Sequence, residues 1–188
     1  MKTLSLTLAA ISASMISASA LAADYQIDHA HSAVTFETGH LGVSRLPGRF
    51  NEFSGSYTWS DDNLSENAVS IEIQADSIDT NHSDRDEHLR SPDFFNVRQY
   101  PTIEFTSTAY EGTAEEGVLT GELTMHGVTR EVEMNIVKIG EGDDPWGGFR
   151  QGFVATTELM RSDFDIDYFI PNVPDETELT IFIEGIRQ

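Results

Sequence analysis

Residues Thr80 to Pro101 read Thr-Asn-His-Ser-Asp-Arg-Asp-Glu-His-Leu-Arg-Ser-Pro-Asp-Phe-Phe-Asn-Val-Arg-Gln-Tyr-Pro. Here a two-residue alternation of apolar and polar side chains stops. Upstream, Val69, Ile71, Ile73 and Ala75 alternate with Ser70, Glu72 and Gln74. Downstream, Ile103 and Phe105 alternate with Glu104 and Thr106. Period two marks strands with one buried face. An interruption this long inside a β domain carries structure of its own. Ser83 or Asn81 can cap a short helix, Asp84, Asp86 and Glu87 suit its N-terminal turns, and Arg90 suits its end. Pro92 stops it. Phe94, Phe95 and Val97 follow, too apolar for water, and are expected to lie as a lid over one end of the sheet.

Working outward, Ser32 to Thr38 reads as a strand with Val34 and Phe36 inward, and Gly48 to Ser60 as a second. Phe50 and the set Phe53, Gly55, Tyr57, Trp59 differ in parity, which predicts a bulge near Asn51 and Glu52. The Ala68 strand is third. After the helical insert come Thr102 to Tyr110, Val118 to Met125, Val128 to Ile139, Phe149 to Leu159 and Thr177 to Ile186, with a tight hairpin at His126-Gly127. The result is an all-β chain of eight antiparallel strands, with its helix between strands 3 and 4. Eight strands close into a barrel whose interior is either filled or holds one small ligand. Ile71, Ile73, Phe105, Leu123, Met134, Phe153 and Ile181 form one uncharged inward face. That excludes an aqueous channel and leaves a packed core and a lipid cavity equally open.

Residues 1–22 have the pattern of a cleavable export signal. Lys2 precedes the apolar run Leu4 to Ile16, and Ala20-Leu21-Ala22 is a small-x-small cleavage site. The run is too short and interrupted to span a membrane. The domain is then 23–188, a soluble protein expected in the periplasm. No cysteine is present, so disulfides, thiol catalysis and thiolate metal sites are excluded. Loss of Lys2 takes the net charge from −21 to −22. Such a surface repels nucleic acid and anionic head groups and gives no basis for stable membrane insertion. The oligomeric state stays open, a dimer included.

Candidate chemistry is sparse. His29, His31 and His40 could ligate a metal, but no neighbouring carboxylate completes the set, and backbone hydrogen bonds are the simpler use. His82 with Asp86, and Asp84 with His88, stand four apart on the helix. Arg85 and Arg90 lie among them and are expected to pair with those carboxylates, bracing the lid. Asp163, Asp165 and Asp167 imitate the start of a calcium loop, but Tyr168 and Pro174 occupy its sixth and twelfth positions, where glycine and glutamate are needed. No nucleophile elbow or phosphate-binding loop is present. No catalytic or metal-ligating residue is assigned and no cofactor is expected.

Several runs together resemble the YceI-like family of secreted lipid-binding proteins. These are Arg85-Asp86-x-His88-Leu89, Ser91-x-Asp93-Phe94-Phe95-x-Val97-x-x-Tyr100-Pro101-x-Ile103-x-Phe105, His31-Ser32-x-Val34-x-Phe36, His40-Leu41-Gly42-x-Ser44, Gly48-x-Phe50, Gly121-x-Leu123-Thr124-x-His126-Gly127-Val128-Thr129 and Arg161-Ser162-Asp163-Phe164. Asp165 departs from the pattern, since the family usually carries glycine there. The resemblance implies a lipocalin-like barrel holding a long polyisoprenoid, and so favours the cavity. The expected ligand is an isoprenoid quinone, polyprenyl lipid or similar fatty amphiphile. The expected wall is Val34, Phe36, Phe53, Tyr57, Ile71, Ile73, Phe94, Phe95, Phe105, Leu123, Met134, Phe153, Phe164 and Ile181. A hydrolase or isomerase acting on a small apolar substrate, or a filled-barrel envelope stress protein, are the alternative functions.

Overall fold

The computed structural model describes residues 22–188; the export signal expected over 1–22 falls almost wholly outside them. Eleven strands form one antiparallel sheet. They are β1 (Ala23–Ile27), β2 (Ala33–His40), β3 (Ser44–Phe50), β4 (Phe53–Trp59), β5 (Ala68–Gln74), β6 (Ile78–Asp79), β7 (Thr102–Gly112), β8 (Glu116–Met125), β9 (Val128–Asp143), β10 (Phe149–Met160) and β11 (Glu176–Arg187), with one helix, α1 (Ser83–Arg90).

Eleven reduces to eight because the first three long strands are each broken. β1 and β2 are halves of one stave, both paired with β11: Tyr25 opposite Arg187, and Val34 opposite Ile181. β3 and β4 are halves of the second, paired with β2 and β1. β5 and β6 are halves of the third, paired with β4 and β3. The pairing of β1 and β2 with β11 closes an eight-stave antiparallel barrel.

The breaks fall side by side at His29–His31, Asn51–Glu52 and Ala75–Ser77, and hydrogen bonds stitch them together. His29 Nε2 donates to the Asn51 carbonyl at 2.8 Å. The Asn51 amide donates to the Ser77 carbonyl, and the Glu52 amide to Ser77 Oγ. The parity change at Asn51 thus marks a break shared by three strands, wider than a single bulge. The first stave also begins earlier than the alternation suggests, because Asp28 to Ser32 interrupts its period.

α1 carries little apolar surface, and a polar helix of this length has no stability alone. Side-chain bonds hold it. His82, rather than Ser83 or Asn81, caps it, its Nδ1 accepting from the Arg85 amide at 3.3 Å. Asn81 instead takes a left-handed turn, its amide bonded to Asp79. Buried Asp86 accepts from the Thr80 amide and hydroxyl. The arginines bind backbone carbonyls instead of the helix carboxylates: Arg85 reaches Thr80, and Arg90 reaches Asp76 and Ile78. The helix is pinned to β6, and the turns after it bring Phe94 and Phe95 to one end of the barrel.

Candidate functional site: an apolar cavity inside the barrel

Inward-facing side chains meet around a cavity that runs along the barrel interior. The cavity has a volume of about 180 Å³. Twelve of the fourteen expected wall residues line it: Val34, Phe36, Tyr57, Ile71, Ile73, Phe94, Phe95, Phe105, Leu123, Met134, Phe153 and Ile181. Phe53 and Phe164 do not. Phe53 is buried against His29 at the strand breaks. Phe164 sits in a short 3₁₀ turn, almost wholly buried, with its carbonyl accepting from His126 Nδ1.

Why the barrel stays hollow is written in its glycines. On β8, inward positions alternate Gly117, Leu119, Gly121, Leu123 and Met125. A Cβ on Gly121 would overlap the Phe105 ring from β7, and one on Gly117 the Tyr110 ring. Gly48 on β3 is covered in the same way by Phe36, and Gly185 on β11 by Tyr57. Each missing side chain lets an aromatic ring lie flat along the wall instead of reaching across the lumen. The rings supply apolar surface while the centre remains free.

The two ends differ. At the end away from α1, Trp59 packs on Phe153 and Tyr110 at centroid separations of 4.4 and 5.0 Å, and Tyr57 meets Phe153 edge-on. All four rings are buried, so this end is plugged. At the helix end, Phe36, Leu89, Phe94 and Phe95 are only half-buried, and Phe94 packs with His88 and Tyr168. Access is therefore easier from the helix end.

Ionisable groups on this wall are few. The Tyr57 phenol is pushed strongly upward by burial and donates to the Gln151 carbonyl at 3.1 Å. Arg161 at the helix end went unrecognised in the sequence, as did Thr38 and Thr177 beside it. The Arg161 guanidinium donates to the carbonyls of Pro174, Ile166 and Val173, and burial lowers its pKa. Asp165, at the position that departs from the motif, adopts the left-handed conformation (φ 57°, ψ 27°) that glycine would take. Aspartate tolerates this region, so the kink is kept.

Outside the barrel, His31 does have carboxylate neighbours. Asp28, His31 and Glu184 converge, and Arg150 bonds both carboxylates and Asp144. Separations of 122 and 34 residues hide that cluster from a linear reading. Arg150, followed by His31, holds the Asp28 carboxyl down to about 2. On the helix, Asp86 is committed to Thr80, and His88 pairs with Asp93 at 2.9 Å.

A UPF0312 protein of Pseudomonas aeruginosa (strain LESB58) is 45% identical over 187 residues, covering 97% of this chain and 98% of its own. The crystal structure of BcnA from Burkholderia cenocepacia superposes with a TM-score of 0.77 at 20% identity, covering 84% of this chain and 98% of its own. A polyisoprenoid binding domain from Saccharophagus degradans shares the fold with a TM-score of 0.66 at 14% identity, over 87% of this chain and 98% of its own. The model of the YceI-like domain matches residues 25–185, nearly the whole barrel, and the chain belongs to that family.

Proposed function

We propose that this protein is an exported, periplasmic carrier that holds an isoprenoid quinone, polyprenyl lipid or similar long-chain amphiphile inside its barrel. The carrying observation is the cavity itself: continuous, apolar, plugged at one end and half-open at the other. Family membership supports the reading, as does the polyisoprenoid binding domain of the same fold. The leader-like residues 1–22 support the location. Desolvation supplies the affinity. Each isoprene unit brings five carbons, roughly 4 kcal/mol at ~0.8 kcal/mol per buried carbon. About three units therefore offset an association cost on the order of 10 kcal/mol. Barrel strands of about ten residues, tilted ~40°, give a height of ~25 Å, so a longer chain bends or protrudes. The reading is of binding without turnover, because the wall offers Tyr57 and Arg161 but no carboxylate or imidazole to serve as a general base.

Leu123→Trp tests this reading. Leu123 is buried on the cavity wall, and an indole there obstructs the lumen. Lipid extracted from protein purified from its own envelope is identified by mass spectrometry, and stability is followed by thermal melting. A carrier gives a lipid-poor variant whose melt matches delipidated wild type. A lipid-free wild type with a variant destabilised by ~1–3 kcal/mol, the cost of overpacking, would mean that the interior is a filled core.

A further inference from the structure

Besides Thr35 and Tyr57, whose hydroxyls donate to the Thr180 and Gln151 carbonyls, the apolar wall carries polar side chains at the helix end, where Thr38, Thr177 and Arg161 meet the lumen. Thr177 stands opposite Thr38 across the β2–β11 pair and opposite Leu159 across the β10–β11 pair. Its Oγ1 is shielded from solvent and has no hydrogen-bond partner. Two other buried side-chain polar atoms among the described residues share that condition, Asn67 Nδ2 and Gln151 Oε1, and neither residue lines the cavity. A hydroxyl left unpaired out of water is costly unless something else satisfies it.

Arg161 is the charged side chain at this level. Its bonds of 3.0, 3.1 and 3.0 Å to Pro174, Ile166 and Val173, with a long 3.5 Å contact to Tyr168, leave a guanidinium hydrogen unused. It forms no ion pair among the described residues, and the Phe94 ring lies 6.0 Å from Cζ. A half-buried cation and an unsatisfied hydroxyl therefore share the half-open end of a greasy tube.

We infer that Thr177 and Arg161 form a head-group subsite for an uncharged oxygen acceptor, such as a quinone or other ketone carbonyl, an ester or an alcohol. The hydrocarbon tail then runs toward Tyr57, Trp59 and Phe153. This rests on the carrier reading above. The selection against charge follows from the surroundings. A diphosphate would meet one guanidinium already donating to three carbonyls, with Asp167 and Asp175 nearby, in a strongly acidic protein. Burying several negative charges against so few free donors is unfavourable.

The test uses geranylgeraniol, geranylgeranyl diphosphate and the hydrocarbon of the same chain length, titrated into wild type, Thr177→Val and Thr177→Ser. Wild type should bind the alcohol about three- to tenfold more tightly than the hydrocarbon, the range one hydrogen bond supports, and the diphosphate no more tightly than the alcohol. Thr177→Val, nearly isosteric, should erase the alcohol's advantage while leaving hydrocarbon affinity within about twofold, and Thr177→Ser should restore it. Hydrocarbon binding with an alcohol advantage that survives in Thr177→Val overturns the subsite alone, as does a diphosphate that binds most tightly. If none of the three binds, the carrier reading falls and takes the subsite with it.

Discussion

Asp28 shows how one side chain ties distant parts of the chain together. It caps the 3₁₀ turn at the first strand break through the Ala30 amide, pairs with His31, and accepts from Arg150 on β10 at 2.6 Å. Its carboxyl titrates near 2, below its ordinary 3.8, so folding favours the ionised form. The associated stability is fully present above about pH 4 and is lost as pH falls through about 2. Replacing Arg150 by Met removes the largest cause, so Asp28 should titrate closer to 3.8 and acid unfolding should begin at a higher pH. Asp144 should move less, because the Gly148 amide is its principal support. Carboxyl-resolved NMR titration measures both; an Asp28 still near 2 in the variant would refute the assignment to Arg150.

Among the elements, α1 is where patterning and structure diverge most usefully. Its existence, its end at Pro92 and the aromatic lid after it were legible, because an acidic first turn, a proline and a lost alternation are local signals, while its cap fell to His82 rather than to Ser83 or Asn81. Its fastening was not. Which carbonyls Arg85 and Arg90 would meet depends on β6, and no periodicity encodes that contact. The same limit governs the cavity. Inward faces could be read from single strands, but hollow and filled barrels differ in whether a ring lies over a neighbouring strand's glycine, and that requires register. Phe36 over Gly48 and Phe105 near Gly121 are cross-strand facts. Arg161 and Thr177 were missed for a related reason, since a polar residue on an apolar face has no repeating pattern to betray it. The fastening of α1 makes a sharp expectation. Asp86→Ala strands the buried Thr80 amide and removes the acceptor for its hydroxyl, which should cost ~1–3 kcal/mol in a denaturant melt. Lipid exchange should also quicken as Phe94 and Phe95 loosen. Destabilisation with unchanged exchange would show that the lid does not depend on this network.

For the molecule as a whole, charge is the largest unbalanced term. Without Lys2, 10 basic residues face 32 acidic ones. The register sharpens the point, because Glu72 lies opposite Glu104, Glu122 opposite Glu131, and Glu158 opposite Glu178. Like charges directly opposed on a sheet destabilise it, and exposed ones are screened over a Debye length of ~10 Å at 0.1 M salt. Melting temperature should therefore rise from low to about molar sodium chloride, and Glu104→Lys should raise it most at low salt. A flat salt profile in wild type would show the acidic excess to be locally compensated.

The closure of the ring by β11 has a kinetic consequence. Seven of the eight stave junctions join neighbours in sequence, through turns or, between β6 and β7, through the insert that carries α1. The eighth unites residues as far apart as Tyr25 and Arg187, 162 positions along the chain. The entropy of closing so long a loop, (3/2)RT ln n, is roughly 4–5 kcal/mol, and it falls on this single seam. The meander can assemble quickly as an open, curved sheet with two unsatisfied margins, and then wait for them to find each other. Substitutions in the hairpins, which form before closure, should slow refolding, while those that weaken the Tyr25–Arg187 contact, completed last, should mainly hasten unfolding, as stopped-flow chevrons of the two classes would distinguish.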